Sequence, residues 1–75
     1  MKTISVSQGQ NMLDVSIQEY GSIAAVMQLC MDNNIPIDYQ LKGGETLLID
    51  ESKIIDPRIV KYFKDRKQKV NTGWD

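Results

Sequence analysis

Residues 23–34 read IAAVMQLCMDNN, a run that is apolar around most of a helical circumference. Ser22 stands just ahead of it with a side-chain oxygen suited to capping a first helical turn, and Asn33 and Asn34 supply the stop. A helix this apolar is expected to be buried on more than one side. The rest of a 75-residue chain must therefore supply the covers. Ala24 and Ala25 would let a neighbouring helix or a sheet approach closely.

Two strands and a second helix are legible around this run. Residues 3–7 read T-I-S-V-S, with Ile4 and Val6 alternating against hydroxyl side chains, the period-2 pattern of a half-buried strand. Gln8, Gly9, Gln10 and Asn11 break that pattern, and Asn11 is a good N-cap for the helix that follows. In that helix Leu13, Ile17 and Tyr20 fall at i, i+4 and i+7, Met12 and Val15 widen the face, and Gly21 suits a left-handed helix end. Residues 35–40 carry turn chemistry around Pro36, and residues 46–50 read as a second strand. Residues 1–50 are thus expected to form one β-α-α-β domain of α+β class.

Asp56-Pro57 marks a further helix start, because aspartate caps and proline at the first helical position lacks an amide that would otherwise be unpaired. Ile59, Val60 and Phe63 form a short stripe with Tyr62 at its flank, opposite Arg58, Lys61, Lys64, Arg66 and Lys67. Residues 51–69 are expected to pack on or beside the β-α-α-β unit, since Ile54 and Ile55 make the junction too apolar for a free linker. Residues 70–75 are expected to be a flexible tail from which Trp74 alone would dock.

Composition narrows function more than fold. The chain is 41% hydrophobic and 25% charged, as expected of a folding globular domain, but its length leaves little room for an active-site cleft. Cys30 is the single cysteine, so neither an internal disulfide nor a cysteine-based zinc cluster can form. Histidine is absent, and with it the commonest metal ligand and general base. No cofactor is implied.

No apolar run is long enough to span a bilayer and the first ten residues lack a signal-like core, so a cytoplasmic or virion-associated location is expected. Charge is unevenly spread: residues 1–55 carry three basic and seven acidic side chains, residues 56–75 six basic and three acidic. With a sequence pI near 5.2 and no exposed aromatics interleaved among the lysines, nucleic acid is disfavoured as a partner. Complementarity between the basic end and an acidic body, its own or a neighbouring subunit's, is at least as good a reading.

Three features invite chemical readings that the chain does not support. Lys42-Gly43-Gly44 is not a phosphate loop, which needs its glycines ahead of the lysine at a strand-to-helix junction; here a strand follows. The acids Asp14, Glu19, Asp32, Asp38, Glu45, Asp50 and Glu51 show no spacing that would force a facing pair across a cleft, so no enzyme activity is expected. Cys30, inside the most apolar helix and without a basic neighbour in sequence, reads as a small buried hydrophobe.

Taken together, the strand, the polar glycine loop, a helix ending in Tyr20-Gly21, a helix with Leu29 and Asn33 in an L-x-x-x-N element, and Leu41, Gly44, Leu47 and Ile49 in a closing L-x-x-G-x-x-L-x-I resemble the LysM module. The match covers residues 6–50. Gly9-Gln10-Asn11 replaces the usual G-D-T, Val15-Ser16 stands at the alanine site, and Asp50 stands where proline is common. With its longer first helix, followed at once by another, the chain is more similar to the small LysM-like tail protein X group of phages. The resemblance implies a two-stranded antiparallel sheet with both helices on one face.

It also implies two functions. In sugar-binding members N-acetylglucosamine units lie between the loop after the first strand and the loop after the second helix, which would here be Gly9, Gln10, Asn11 and Met12 on one side and Asn34, Ile35, Pro36 and Ile37 on the other. Against that, Gln10 and Asn11 would only close a turn and cap a helix, and Ile35 and Ile37 would be core. In tail-type members the chain would be a structural or assembly component of a phage tail, prophage or injection system. Its contacts with other subunits, or with further copies of itself, would run through Arg58, Lys61, Tyr62, Lys64 and Trp74. The missing signal, the missing catalytic domain and the additional C-terminal helix favour the tail-type expectation.

Overall fold

The computed structural model describes residues 1–66. Strand β1 (Lys2–Ser5) is followed by helix α1 (Met12–Tyr20), a 3-10 turn (Ile23–Ala25) that runs into helix α2 (Val26–Asp32), strand β2 (Thr46–Ile49), a second 3-10 turn (Glu51–Lys53) and helix α3 (Pro57–Asp65). The two strands pair antiparallel with Ile4 opposite Leu47 and Lys2 opposite Ile49. The expected α+β plan of β-α-α-β plus a C-terminal helix is the fold observed. Lys67, Lys69, the expected tail 70–75 and Trp74 lie outside the described residues.

The strand boundary shifts in an instructive way. Alternation in the sequence points to residues 3–7, whereas β1 ends at Ser5; yet Val6 still donates its amide to the Glu45 carbonyl and accepts from Gly44 N, both at 2.8 Å. The pairing continues through the twist of the glycine turn after the regular strand has stopped. Gly43 and Gly44 have φ of 97° and 89°, and a Cβ on Gly43 would come within 2.9 Å of Gln8 Cα. Backbone geometry requires the glycine pair.

Helix α1 starts on a reciprocal capping box. Asn11 Oδ1 accepts from Asp14 N at 2.9 Å and Asp14 Oδ2 accepts from Asn11 N at 3.1 Å, so two otherwise orphaned amides are satisfied. The helix ends at Gly21, φ 79°, whose amide donates to the Ile17 carbonyl. Ser22 caps the next turn through Ala24 N, and Asp56 caps α3 through Arg58 N, as the sequence implies.

The core comprises Val6, Met12, Val15, Tyr20, Ala25, Leu29, Cys30, Leu47 and Ile49, with Ile4, Val26, Ile35, Leu41 and Ile54 packed against it. Two sequence expectations are corrected here. The inward face of α1 is centred on Met12, Val15, Ser16 and Tyr20 rather than on Leu13 and Ile17; Leu13 is 47% exposed. On the former side Met12, Val15 and Tyr20 join Leu29 of α2 and Leu47 and Ile49 of β2 in the core, and Ile17 is turned instead toward α3. Likewise α2 buries only Leu29 and Cys30, and Ala25 just before it, while Ile23, Met27 and Met31 stay exposed, Met31 at 70%. A two-stranded sheet and one helix cover one side of α2 and no described element covers the other.

Asn33 ties the end of α2 to the free edge of β2. Its Nδ2 donates to the carbonyls of Leu29 and Leu48, and its Oδ1 accepts from Leu48 N at 2.6 Å, so one carboxamide takes the place of a third strand. Asn33→Ala is expected to lower stability by about 1–2 kcal/mol, read as a reduced urea midpoint with unchanged m-value. An unchanged midpoint would mean that water replaces the carboxamide without loss.

Tyr20 links the C-terminal helix to this unit. Its carbonyl accepts from both Ile55 N and Asp56 N, at 2.9 and 3.1 Å, and α3 then runs back along α1. Among the described residues no helix is long and apolar enough to cross a membrane.

Candidate interaction surface

The turns after β1 and after α2 border two shallow grooves that share Ile37. One, about 300 Å³, is lined by Asn11, Met12, Leu13, Val26, Ile37, Asp38 and Tyr39. The other, about 550 Å³, runs between Met27, Cys30 and Met31 on α2 and the segment carrying Asn34, Ile35, Pro36 and Ile37. Asn34 turns the chain at the head of this segment with φ 54°, a left-handed conformation that asparagine tolerates better than most residues. Ile35 packs on the core while Ile37, two residues on, is 56% exposed and forms the ridge between the grooves.

Of the residues expected to hold a sugar, the fold gathers Asn11, Met12 and Ile37 at the first groove and Asn34, Ile35, Pro36 and Ile37 at the second. Gly9 and Gln10 line neither. Gln10 is only 2% exposed and its carboxamide is engaged internally: Oε1 accepts from Ser7 N, and Nε2 donates to Gln18 Oε1 at 3.0 Å. Gln18 in turn donates to Glu19, which pairs with Lys2 at 3.1 Å, so a polar chain crosses from the loop to β1. Met12 is buried and Asn11 is occupied as a helix cap.

Comparison with family models, curated proteins and solved structures finds no match to this chain.

Leu13, Val26, Met27, Met31 and Tyr39 also line the grooves, and sequence reasoning does not mark them as site residues. Ile23, Met27 and Met31 recur at i, i+4 and i+8, a stripe distinct from the one carrying Ala25 and Leu29; separating the two stripes would disclose an uncovered face. Tyr39 is held by its hydroxyl, 3.4 Å from Glu45 Oε2. Glu45 also accepts from Lys42 N and Gly43 N, and the Lys42 amide above all holds its carboxyl below the ordinary value.

A third surface lies along α3. Ile17, Asp56, Arg58, Ile59, Tyr62 and Phe63 line an open groove of about 660 Å³. Tyr62 meets Phe63 edge to face at 5.2 Å and carries the Arg66 guanidinium 4.5 Å from its ring centre. Arg58 and Lys61 pair locally with Asp56 and Asp65, and Lys61, Tyr62 and Lys64 face outward.

Apart from Asp38, the acids of residues 1–55 are engaged within the structure. Asp14 closes the capping box, and Asp32 and Asp50 both approach Lys53 Nζ, at 3.4 and 3.3 Å. Among the described residues no group of three or more His, Cys, Asp or Glu side chains is arranged to hold a metal ion. Burial pushes the Cys30 thiol above its ordinary pKa, which disfavours the nucleophilic thiolate.

These shifts set the ends of the pH–stability profile. The Ser52 hydroxyl lowers the Asp50 pKa and the Lys42 amide lowers that of Glu45, so their contribution is complete above the unfolded values near 3.8 and 4.5 and is lost as pH falls through the lower folded values. Desolvation raises Tyr20 and Cys30, so at high pH the unfolded chain ionises first and stability falls above about 9 to 10. Thermal unfolding followed from pH 2 to 11 is expected to show a plateau between these limits. A midpoint still rising between pH 5 and 3 would contradict it.

Proposed function

We propose that this is a non-catalytic module of LysM-like plan that acts through protein–protein contacts, as a small structural or assembly component of a phage tail or prophage-derived injection system. The observation that carries the contact reading is the pairing of uncovered apolar side chains, Ile23, Met27, Met31 and Ile37 on one surface and Ile55, Ile59 and Tyr62 on another, with a glycine loop whose Gln10 is engaged internally. Apolar surface left open on so small a domain marks places where other proteins bind. The tail-component part of the reading rests on the resemblance to the tail protein X group.

A second reading is a module that binds peptidoglycan or chitin. It is favoured by the groove beside Asn34, Pro36 and Ile37, where a carboxamide adjoins an apolar rim of the kind on which a sugar face can stack. Titration of ¹⁵N-labelled protein with N-acetylglucosamine oligomers and peptidoglycan fragments separates the two. The contact reading expects unmoved resonances at millimolar ligand. Localised shifts at Asn11, Asn34, Ile35 and Ile37 would overturn it in favour of the sugar.

A further inference from the structure

Two exposed apolar stripes lie on elements that α1 keeps apart. The first runs along α2 through Ile23, Met27 and Met31 and crosses to Ile37. The second comprises Ile59 and Tyr62 on α3, with the exposed Ile55 just ahead of the helix cap, and ends in Arg66 stacked on Tyr62. α1 packs against both α2 and α3, which make no comparable contact with each other, so the stripes cannot meet within one chain.

Their charged surroundings differ in sign. Asp38 lines the smaller groove, next to the Ile37 that both grooves share, without an ion pair among the described residues, and Glu45, with the exposed Lys42 nearby, stands behind Tyr39. The α3 stripe is flanked by Arg58, Lys61, Lys64 and Arg66, against Asp56 and Asp65. Groove against groove would oppose Asp38 to Asp38, and α3 against α3 would oppose basic residues to basic residues. Groove against α3 pairs opposite charges along two apolar stripes, and methionine side chains adapt readily to an incoming helix.

We propose that the chain associates with itself head to tail, the Ile55–Ile59–Tyr62 stripe of one copy seating in the Met27–Met31–Ile37 groove of the next. This inference rests on the contact reading above and names its partner as a second copy. Each copy offers one groove and one stripe, so the contact is heterologous and repeats into a ring or an open chain.

Sedimentation of the full chain tests it, with Met31→Glu to block the groove and Tyr62→Glu to block the stripe. The wild type is expected to exceed dimer mass as concentration rises toward about 1 mM, and less so at high salt. Either variant alone is expected to be monomeric, and a 1:1 mixture is expected to form a discrete dimer, because one intact groove then meets one intact stripe. Both positions are exposed, and circular dichroism verifies the fold; Met27→Glu and Ile55→Glu form a second pair should either variant unfold. A monomeric wild type at 1 mM, or a Tyr62→Glu variant that dimerises alone, overturns the proposal. Neither result touches the contact reading itself, which falls only if the sugar titration moves the groove resonances.

Discussion

Gly21→Ala is expected to unfold a large fraction of the molecules at room temperature. Gly21 sits at φ 79°, where an L side chain is strained by about 1–2 kcal/mol, and the added Cβ would overlap the Asp56 carbonyl group. That neighbour is backbone, held by Asp56 N donating to the Tyr20 carbonyl and by the Asp56 carbonyl accepting from Val60 N. Relief therefore requires the start of α3 to move off the end of α1. Strain and displacement together should cost about 3 kcal/mol or more, against a net stability of roughly 3–5 kcal/mol for a domain of this size. Gly44→Ala is the internal control, because φ is 89° but nothing lies within 4 Å of the new Cβ; it should cost only about 1–2 kcal/mol. Equal urea midpoints for the two variants would show that the Gly21–Asp56 approach is not tight.

Tyr20→Ala should have an effect as large, for a different reason. Tyr20 is fully buried among the core side chains, and its hydroxyl accepts from Asp50 N at 2.9 Å, fixing the chain just after β2. Truncating a buried aromatic to alanine costs about 3–5 kcal/mol, which equals the stability available, so the variant should lack a cooperative transition. Tyr20→Phe keeps the ring and leaves Asp50 N without its acceptor, a loss of about 1–1.5 kcal/mol. The two variants separate packing from hydrogen bonding at one position. Should Tyr20→Phe prove as damaging as Tyr20→Ala, the hydroxyl, not the ring, would be the principal anchor.

Both predictions concern the junction where α1 stops and α3 begins, and the sequence shows only half of it. Tyr20-Gly21 is legible as a helix end because glycine alone adopts a left-handed cap without strain. That the same glycine also leaves room for Asp56, 35 residues later, depends on a tertiary approach that no local pattern encodes. The surface follows a similar division. Ile37 is legible as an apolar residue beside Pro36, but its exposure, against the burial of Ile35, depends on how the chain leaves Asn34. Gln10 reads in the sequence as a polar loop residue that would either face a sugar or close a turn, and becomes a buried link to Gln18 only when α1 folds back beside that loop.

What the sequence determined by itself is the set of local stops and starts: Asn11, Ser22 and Asp56 as caps, Gly21, Gly43 and Gly44 where the backbone turns left-handed, and alternation in the strands. These follow from interactions within a few residues, between a side-chain oxygen and the next turn's amides or between a backbone angle and its own Cβ. Only the tertiary structure decided which apolar stripe of α1 and of α2 faces inward. Both stripes of α2 are hydrophobic enough to be core, and a two-stranded sheet with one neighbouring helix has area to cover only one. Ala25, Leu29 and Cys30 took it, and Ile23, Met27 and Met31 were left exposed.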